Sequence, residues 1–245
     1  MENKTNNNLI VSGRRAVLQI LNNPAEIEKI LVKTGETEGS LSEIVTKCNN
    51  LGVILQYVPR SRLDQIQPNN QGVIALCSIY KYANFHDIVD EIRNNRSLLI
   101  LILDRIMDPN NFGAIIRTAH SFGVDAIIIP KRRSCDVTAS VVKASTGACN
   151  YIKIAKVSNL SQTIDVLKKL NIWIAACTME GENIVKSKLT TPLALIIGNE
   201  GEGVSTLLKT KSDFLVSIPM AGNVGSLNAS VAAALAIYEI RRNHA

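Results

Sequence analysis

The feature that most constrains this chain is a set of short apolar runs: Leu98–Leu103, Ala126–Ile129, Ile172–Ala176, Leu193–Ile197 and Phe214–Ile218, the last interrupted only by Ser217. A strand with one wet face alternates polar and apolar residues, whereas a run with no polar interruption suits a strand covered on both faces. Helical patterns separate the runs, at Asn111–Phe122, Val137–Ala144, Leu160–Leu170 and Leu227–Arg242. Strand alternating with helix predicts an α/β domain built on a largely parallel sheet, spanning residues 97–245. Upstream the elements are smaller: a helix over Arg14–Leu21, a strand over Ile27–Val32 and a helix over Leu41–Asn50 that ends at Leu51-Gly52. A strand over Val53–Val58, stopped by Pro59, and a strand-like run over Gly72–Tyr80 complete them. These predict a small α/β domain over residues 9–80, joined through a polar linker at 81–96 that carries a short helix. The Asn-rich residues 1–8 are expected to be disordered.

Charge separates the two halves. The net charge is +6, yet residues 1–90 carry nine basic and nine acidic side chains, while residues 91–245 carry eighteen and twelve. The excess therefore sits on the larger domain and favours an anionic partner there. Aromatic residues are only 4% of the chain, which weighs against a binding surface made of a stacked aromatic sheet face. The five cysteines, Cys48, Cys77, Cys135, Cys149 and Cys177, include no CxxC pair and no ligand cluster. A disulfide framework and a metal site are not expected, and a reducing cytoplasm is. The first residues lack the apolar stretch of a signal peptide, and no run approaches the roughly 20 apolar residues needed to span a bilayer.

Ligands of open α/β sheets bind at the carboxyl ends of strands, so the segments after the runs carry the chemistry. The first, Asp104 to Arg117, contains the turn Asp108-Pro109-Asn110, with Asn110 or Asn111 as candidate cap of the next helix. Gly113 leaves room for a close backbone approach, and Arg117 lies two turns in, on the side of Gly113 and Ala114. The second, Ile197-Gly-Asn-Glu-Gly-Glu-Gly-Val-Ser205, sets three glycines among acids. Gly198, Gly201 and Gly203 allow positive φ and tight ligand contact. It is neither a P-loop nor a dinucleotide fingerprint, and Glu200 and Glu202 would repel a phosphate and suit a cationic ligand. The third runs from Ile218 to Ser230, with Ser226 as the expected N-cap of an Ala-rich helix and Asn228 inside that helix. A poor helix former at such a position suggests work for its side chain.

Together these segments resemble the SpoU (TrmH-type) RNA ribose methyltransferases of the SPOUT superfamily. Three motifs carry the resemblance in order: Asp108-Pro-Asn-Asn-Phe-Gly-Ala-Ile-Ile-Arg-Thr-Ala119, Ile196-Ile-Gly-Asn-Glu-Gly-Glu-Gly-Val-Ser205 and Ile218-Pro-Met-Ala-Gly-Asn-Val-Gly-Ser-Leu-Asn-Ala-Ser-Val-Ala-Ala233. Val11-Ser-Gly-Arg-Arg-Ala-Val-Leu18 resembles the start of the L30e-like substrate-binding domain of the bacterial 23S rRNA guanosine 2′-O-methyltransferase subgroup. Lys131-Arg132-Arg133-Ser134 and Lys143-Ala-Ser-Thr-Gly-Ala148 look like the same subgroup. The resemblance implies methyl transfer from S-adenosyl-L-methionine to a ribose 2′-hydroxyl of structured RNA, most of all a guanosine of 23S rRNA, without a metal or a membrane. It also implies a C-terminal trefoil knot and a homodimer. Gly198, Ile218 and Leu227 are implied to hold the cofactor largely through backbone groups, with Thr178, Met220 and Ser226 beside them. Asn111, Arg117, Glu200, Ser226 and Asn228 are the implied catalytic surround, and Arg14, Arg15, Lys131, Arg132, Arg133 and Lys143 the implied RNA contacts.

A 2′-hydroxyl is a weak acid and a poor nucleophile, so such an enzyme must align it with the methyl group and ease the loss of its proton. Arg117 is assigned as a base in accounts of the family. An arginine stays charged at neutral pH, so it can instead stabilise a developing alkoxide or grip a neighbouring phosphate. His120, one turn on, reads as a solvated helix histidine and Cys177 as a small core residue. A tRNA or another rRNA as substrate remains open, as does an RNA-binding assembly factor without turnover.

Overall fold

The computed structural model describes residues 9–22, 24, 27–35, 38–77, 80–92, 97–187, 189–222 and 225–243. The Asn-rich residues 1–8 lie outside them. The chain divides into two compact units, Met1–Lys81 and Tyr82–Ala245.

In the first unit the order is β1 (Leu9–Ser12), α1 (Arg14–Ile20), β2 (Ile27–Lys33), α2 (Ser40–Leu51), β3 (Leu55–Val58), α3 (Arg60–Ile66) and β4 (Val73–Cys77). The sheet order is β1-β4-β2-β3, with β2 and β3 parallel and the other pairs antiparallel. Strand β2 shows why the unit is closed on both sides. Ile30 and Val32 pack with Val17, Leu41, Ile44 and Cys48 under α1 and α2, and Leu31 faces the opposite way against Leu63, Ile74 and Leu76. Helix α3 supplies Leu63 to that second face. Its seven residues bury one side chain, too few for apolar periodicity to mark it in the sequence. Gly52 ends α2 at φ 66°, a left-handed C-cap that accommodates glycine without strain.

The second unit runs α4 (Phe85–Ile92), β5 (Leu99–Asp104), α5 (Pro109–Ser121), β6 (Ala126–Pro130), α6 (Ala139–Ala144), β7 (Lys153–Val157) and α7 (Leu160–Lys169). It continues with β8 (Trp173–Asn183), β9 (Leu193–Gly198), α8 (Thr206–Lys211), β10 (Phe214–Ser217) and α9 (Ala229–Arg242). Six strands form one sheet in the order β10-β8-β9-β5-β6-β7, and every neighbouring pair is parallel. All six residues of β5 are buried, as a strand in mid-sheet with helices on both faces requires. Each fully buried Leu or Ile there contributes on the order of 1.5–3 kcal/mol.

Part of the segment read as a linker belongs to this unit. Ala83 bridges to Ala155 of β7, Ile88 of α4 joins the main core, and the Tyr82 hydroxyl accepts a hydrogen bond from the Val137 amide at 2.8 Å. Two helix starts differ from the sequence reading. Asp108, not Asn110 or Asn111, caps α5: its carboxylate accepts from the Asn111 amide at 2.8 Å, and Pro109 opens the helix. Asn228, not Ser226, caps α9, its side-chain oxygen accepting from the amides of Ser230 at 2.9 Å and Val231 at 3.4 Å. Asn228 is therefore not a costly residue inside the helix but a favoured one at its edge.

Candidate active site

The chain enters the large sheet at β5, builds outward through β6 and β7, then returns to lay β9 on the other side of β5 with β8 and β10 beyond. Between β5 and β9 the connections leave in opposite directions. This is the switch point at which an open parallel sheet leaves a crevice at its carboxyl edge. A cleft of about 620 Å³ lies there, walled by the ends of β8, β9 and β10 and by the loops that follow them. That volume is in the range of small-molecule sites.

Three peculiarities of the backbone make the cleft. First, β10 pairs with β8 in two registers. Leu215 lies opposite Ala176 while the next residue, Val216, lies opposite Glu182, so the intervening residues of β8 leave the ladder and Cys177–Glu180 form a wall of the cleft. Second, Gly198 ends β9 where a Cβ would stand 2.1 Å from the Gly203 carbonyl carbon. The glycine is required by the loop folding back on itself. Only Gly203 of the three loop glycines uses positive φ, at 65°. Third, the turn from Asn199 to Gly203 is closed by the Gly203 amide donating to the Asn199 carbonyl at 3.0 Å and the Glu202 amide to the Asn199 side chain at 2.7 Å. Gly113 serves the scaffold: a Cβ there would meet that of Ala144 at 2.4 Å, so it lets α6 lie close against α5.

The three motif segments meet at Glu200. Its Oε1 accepts from Asn111 Nδ2 at 2.7 Å, from Asn228 Nδ2 at 2.5 Å and from the Ala229 amide at 3.3 Å. Asn228 Nδ2 also donates to Asn111 Oδ1 at 2.9 Å. Because Asn228 Oδ1 is committed to capping α9, its NH₂ must face Glu200 and Asn111, so the cap sets the orientation of the amide. Arg117 does not join this cluster. It is exposed on α5, does not line the cleft, and its guanidinium makes no ion pair or hydrogen bond with another described residue.

Thr178, Gly198, Ile218, Met220, Ser226 and Leu227 all line the one cleft, as does Glu200. The Thr178 hydroxyl is buried with no hydrogen-bond partner among the described residues, an acceptor and donor left open on the cleft wall. Burial pushes the neighbouring Cys177 thiol up to about 11, so it stays protonated at neutral pH. Lys209 of α8 stands at the rim, 3.6 Å from Glu180. Among the expected RNA contacts, Lys131, Arg132 and Arg133 are exposed after β6 and Lys143 is exposed on α6. Arg15 is exposed in the first unit. Arg14 is occupied there, its Nε donating to the Gln71 carbonyl at 3.2 Å and its Nη1 to Ser40 Oγ at 3.4 Å. Asp104, Arg105 and Lys209 were not marked by the sequence, since nothing distinguishes a charged residue just past a strand or on a short helix from a solvated one. No group of His, Cys, Asp and Glu suited to a metal occurs among the described residues, and none of their helices is long and apolar enough to cross a membrane.

A parallel α/β sheet with a small-molecule cleft at its switch point and an Asn–Glu–Asn cluster on the lip has the form of a ligand-using α/β enzyme. Comparison with known proteins names the family. Residues 98–238 match the model of the SpoU rRNA Methylase family, and residues 10–83 match that of RNA 2′-O ribose methyltransferase substrate binding. The chain belongs to the SpoU rRNA methylase family and is an RNA 2′-O-methyltransferase. It is 40% identical over 235 residues, 95% of this chain and 94% of the relative, to YacO of Bacillus subtilis, which is assigned to the TrmH family of tRNA/rRNA methyltransferases. A relative of the same assignment from Staphylococcus haemolyticus is 40% identical over 237 residues, covering 96% and 95% of the two chains. The crystal structure of the SpoU methyltransferase AviRb from Streptomyces viridochromogenes, in complex with the cofactor AdoMet, is similar with a TM-score of 0.61. Its identity is 25% over 96% of this chain and 90% of that one.

Proposed function

We propose that this enzyme methylates the ribose 2′-hydroxyl of a guanosine in 23S rRNA, acting as a cytoplasmic homodimer. It is S-adenosylmethionine-dependent, and the residues present fit that cofactor. The unpartnered Thr178 hydroxyl offers a hydrogen bond inside the cleft, Ile197, Ile218 and Leu227 supply apolar wall, and the rim carries Glu180, Glu200 and Glu202 against the one cation Lys209 among the lining residues, a net negative edge suited to a cation. Thr178, Gly198, Ile218, Met220, Ser226 and Leu227 would hold it. When bound, the cofactor supplies a methyl group on a positively charged sulfur.

The observation that carries the reading is the Asn111–Glu200–Asn228 cluster on the lip of that cleft. The carboxylate locks two amides in fixed orientation, and their exposed edges and Ser226 can orient a ribose and its neighbouring backbone. Arg117 supplies the positive charge that stabilises a developing alkoxide or grips the adjacent phosphate. Since it stands outside its own chain's cleft, the reading gives it to the site of a partner protomer. In support of a dimer, Val231, Leu235 and Tyr238 leave an exposed apolar stripe along α9, and Phe122 sits edge-on to Tyr238 at 5.8 Å. The reading includes a C-terminal trefoil knot, consistent with β10 lying outside β8 and with the Gly181 backbone pressed against that of Val216. The RNA contacts of the larger unit are Lys131, Arg132, Arg133 and Lys143, and that of the substrate-binding unit is Arg15. Arg14 joins them by giving up its internal bonds.

The test is incubation with labelled S-adenosylmethionine and either unmodified 23S rRNA or a tRNA pool, followed by mapping of 2′-O-methylation. Modification of one guanosine in 23S rRNA is expected. Transfer to tRNA alone would overturn the substrate, and cofactor binding without transfer to either RNA would make the chain a non-catalytic assembly factor.

A further inference from the structure

Arg105 is the residue just past β5, and its backbone lies at φ 63°. A non-glycine side chain in the left-handed region is strained by about 1 kcal/mol or more and persists where its surroundings hold it. The side chain is only 20% exposed, and both terminal nitrogens of its guanidinium are engaged. Nη1 pairs with the Glu202 carboxylate and Nη2 donates to the Gly203 carbonyl at 3.3 Å, while Nε is buried without a hydrogen bond, in ion-pair range of Asp104 Oδ1 at 3.3 Å. Asp104, itself buried, uses its other oxygen to accept from the Ser205 amide at 2.8 Å. The end of β5 thus grips the glycine-rich loop at Glu202, Gly203 and Ser205. The opposite limb of the same loop carries Glu200, fastened to Asn111 and Asn228.

We propose that Arg105 is a positioning residue for methyl transfer, a latch that holds the 199–205 loop in the shape that forms the cofactor cleft and presents Glu200. It touches neither cofactor nor RNA and acts through the loop. Two donors held apart in one plane reach the Glu202 carboxylate and the Gly203 carbonyl together, with the spread positive charge beside Asp104, a geometry that a guanidinium meets and an ammonium does not. Without the latch the loop would rely on its own Asn199 turn and on the glycines that let it fold, which also let it open. The inference rests on the cleft being the S-adenosylmethionine site.

The test compares wild type with Arg105→Gly and Arg105→Lys in the full chain. Arg105→Gly removes the latch and relieves the backbone strain together, so the fold is expected to be retained. Three quantities are read: S-adenosylmethionine affinity by calorimetry, KM and kcat on unmodified RNA, and amide hydrogen exchange across 199–205. For Arg105→Gly the expected result is an unchanged melting temperature, a loss of cofactor affinity on the order of tenfold or more from the missing charge-assisted bonds, a KM for the cofactor that rises with it, and faster exchange in the loop. Arg105→Lys should recover part of the affinity. Unchanged affinity and exchange in Arg105→Gly would overturn the latch. So would a loss of affinity with unaltered exchange, which would make Arg105 a direct cofactor contact. Wild-type protein that binds no S-adenosylmethionine would refute the assignment of the cleft instead.

Discussion

Asn228 caps a helix and also bonds Glu200 and Asn111 on the lip of the cleft, and two substitutions separate these tasks. Asn228→Ala removes the cap, typically worth about 1 kcal/mol, along with the bonds to Glu200 and Asn111, which exposure to solvent makes weak. For a chain of this size 1 kcal/mol corresponds to a fall of roughly 2–4 °C in melting temperature. Asn228→Asp keeps the cap, because a carboxylate accepts from the Ser230 and Val231 amides as well as an amide oxygen does and suits the positive end of α9. It also replaces an N–H donor 2.5 Å from Glu200 Oε1 with a second carboxylate. Two like charges 4 Å apart repel by about 1 kcal/mol even in bulk water, and these would be closer. Each carboxyl would then hold its proton to higher pH, and the pair would separate at neutral pH, taking Asn111 with it. The expected outcome is a melting temperature near wild type with single-turnover transfer down on the order of a hundredfold at pH 7.5, partly recovered as pH falls and one proton bridges the pair. Scanning calorimetry and quench-flow transfer assays on the two variants would show this. Wild-type transfer by Asn228→Asp would refute the view that the Asn–Glu–Asn geometry is needed, whatever the alanine variant does.

Arg117→Ala is expected to abolish transfer with cofactor affinity, measured by calorimetry, within about twofold of wild type. Mixing it with Glu200→Gln chains should restore activity if the two residues serve a shared site across a dimer, and no restoration would put both in one chain. Thr178→Val should leave stability equal or raise it by about 1 kcal/mol, since a buried hydroxyl without a partner is removed, while weakening S-adenosylmethionine binding several-fold by calorimetry. The Cys48 and Cys177 thiols are both pushed from 9.0 up to about 11 by burial. Above pH 9 the unfolded chain ionises before the folded one does. The stabilisation is whole below pH 9 and lost as pH rises through about 11, so urea midpoints should drop across that window, and less in the Cys48→Ser,Cys177→Ser variant.

The sheet was legible because burial on both faces leaves no alternation to misread: Leu98–Leu103 and Leu193–Ile197 became β5 and β9 with every residue of the ladder paired. Strand β7 was not legible, because Lys153 and Lys156 break its pattern. It lies at the sheet edge, where those lysines reach Glu91 and Asp136. The polar end of β8 carries no apolar pattern, and only Glu182 and Asn183 of it are paired, by β10 after its shift of register. Glu200, Asn111 and Asn228 were found through their motifs, but that one oxygen gathers both amides is a long-range fact, spanning 89 and 28 residues. Ser226 was preferred to Asn228 as a cap because both are good cap residues and the pattern fixes helix starts only to within a few positions. Arg105 carried no signal at all, since its importance lies in a backbone angle and in two acceptors, at Glu202 and Gly203, that come from about a hundred residues away.

Glu200 draws its partners from three separate stretches, and the one carrying Asn228 is the last to be synthesised. Until that stretch has emerged and α9 has begun to wind, Asn228 has no helix to orient its amide and Glu200 lacks half of its clasp. On the proposed role of Asn228, methyl transfer then waits for α9 to wind, and the appearance of activity reports the folding of that helix.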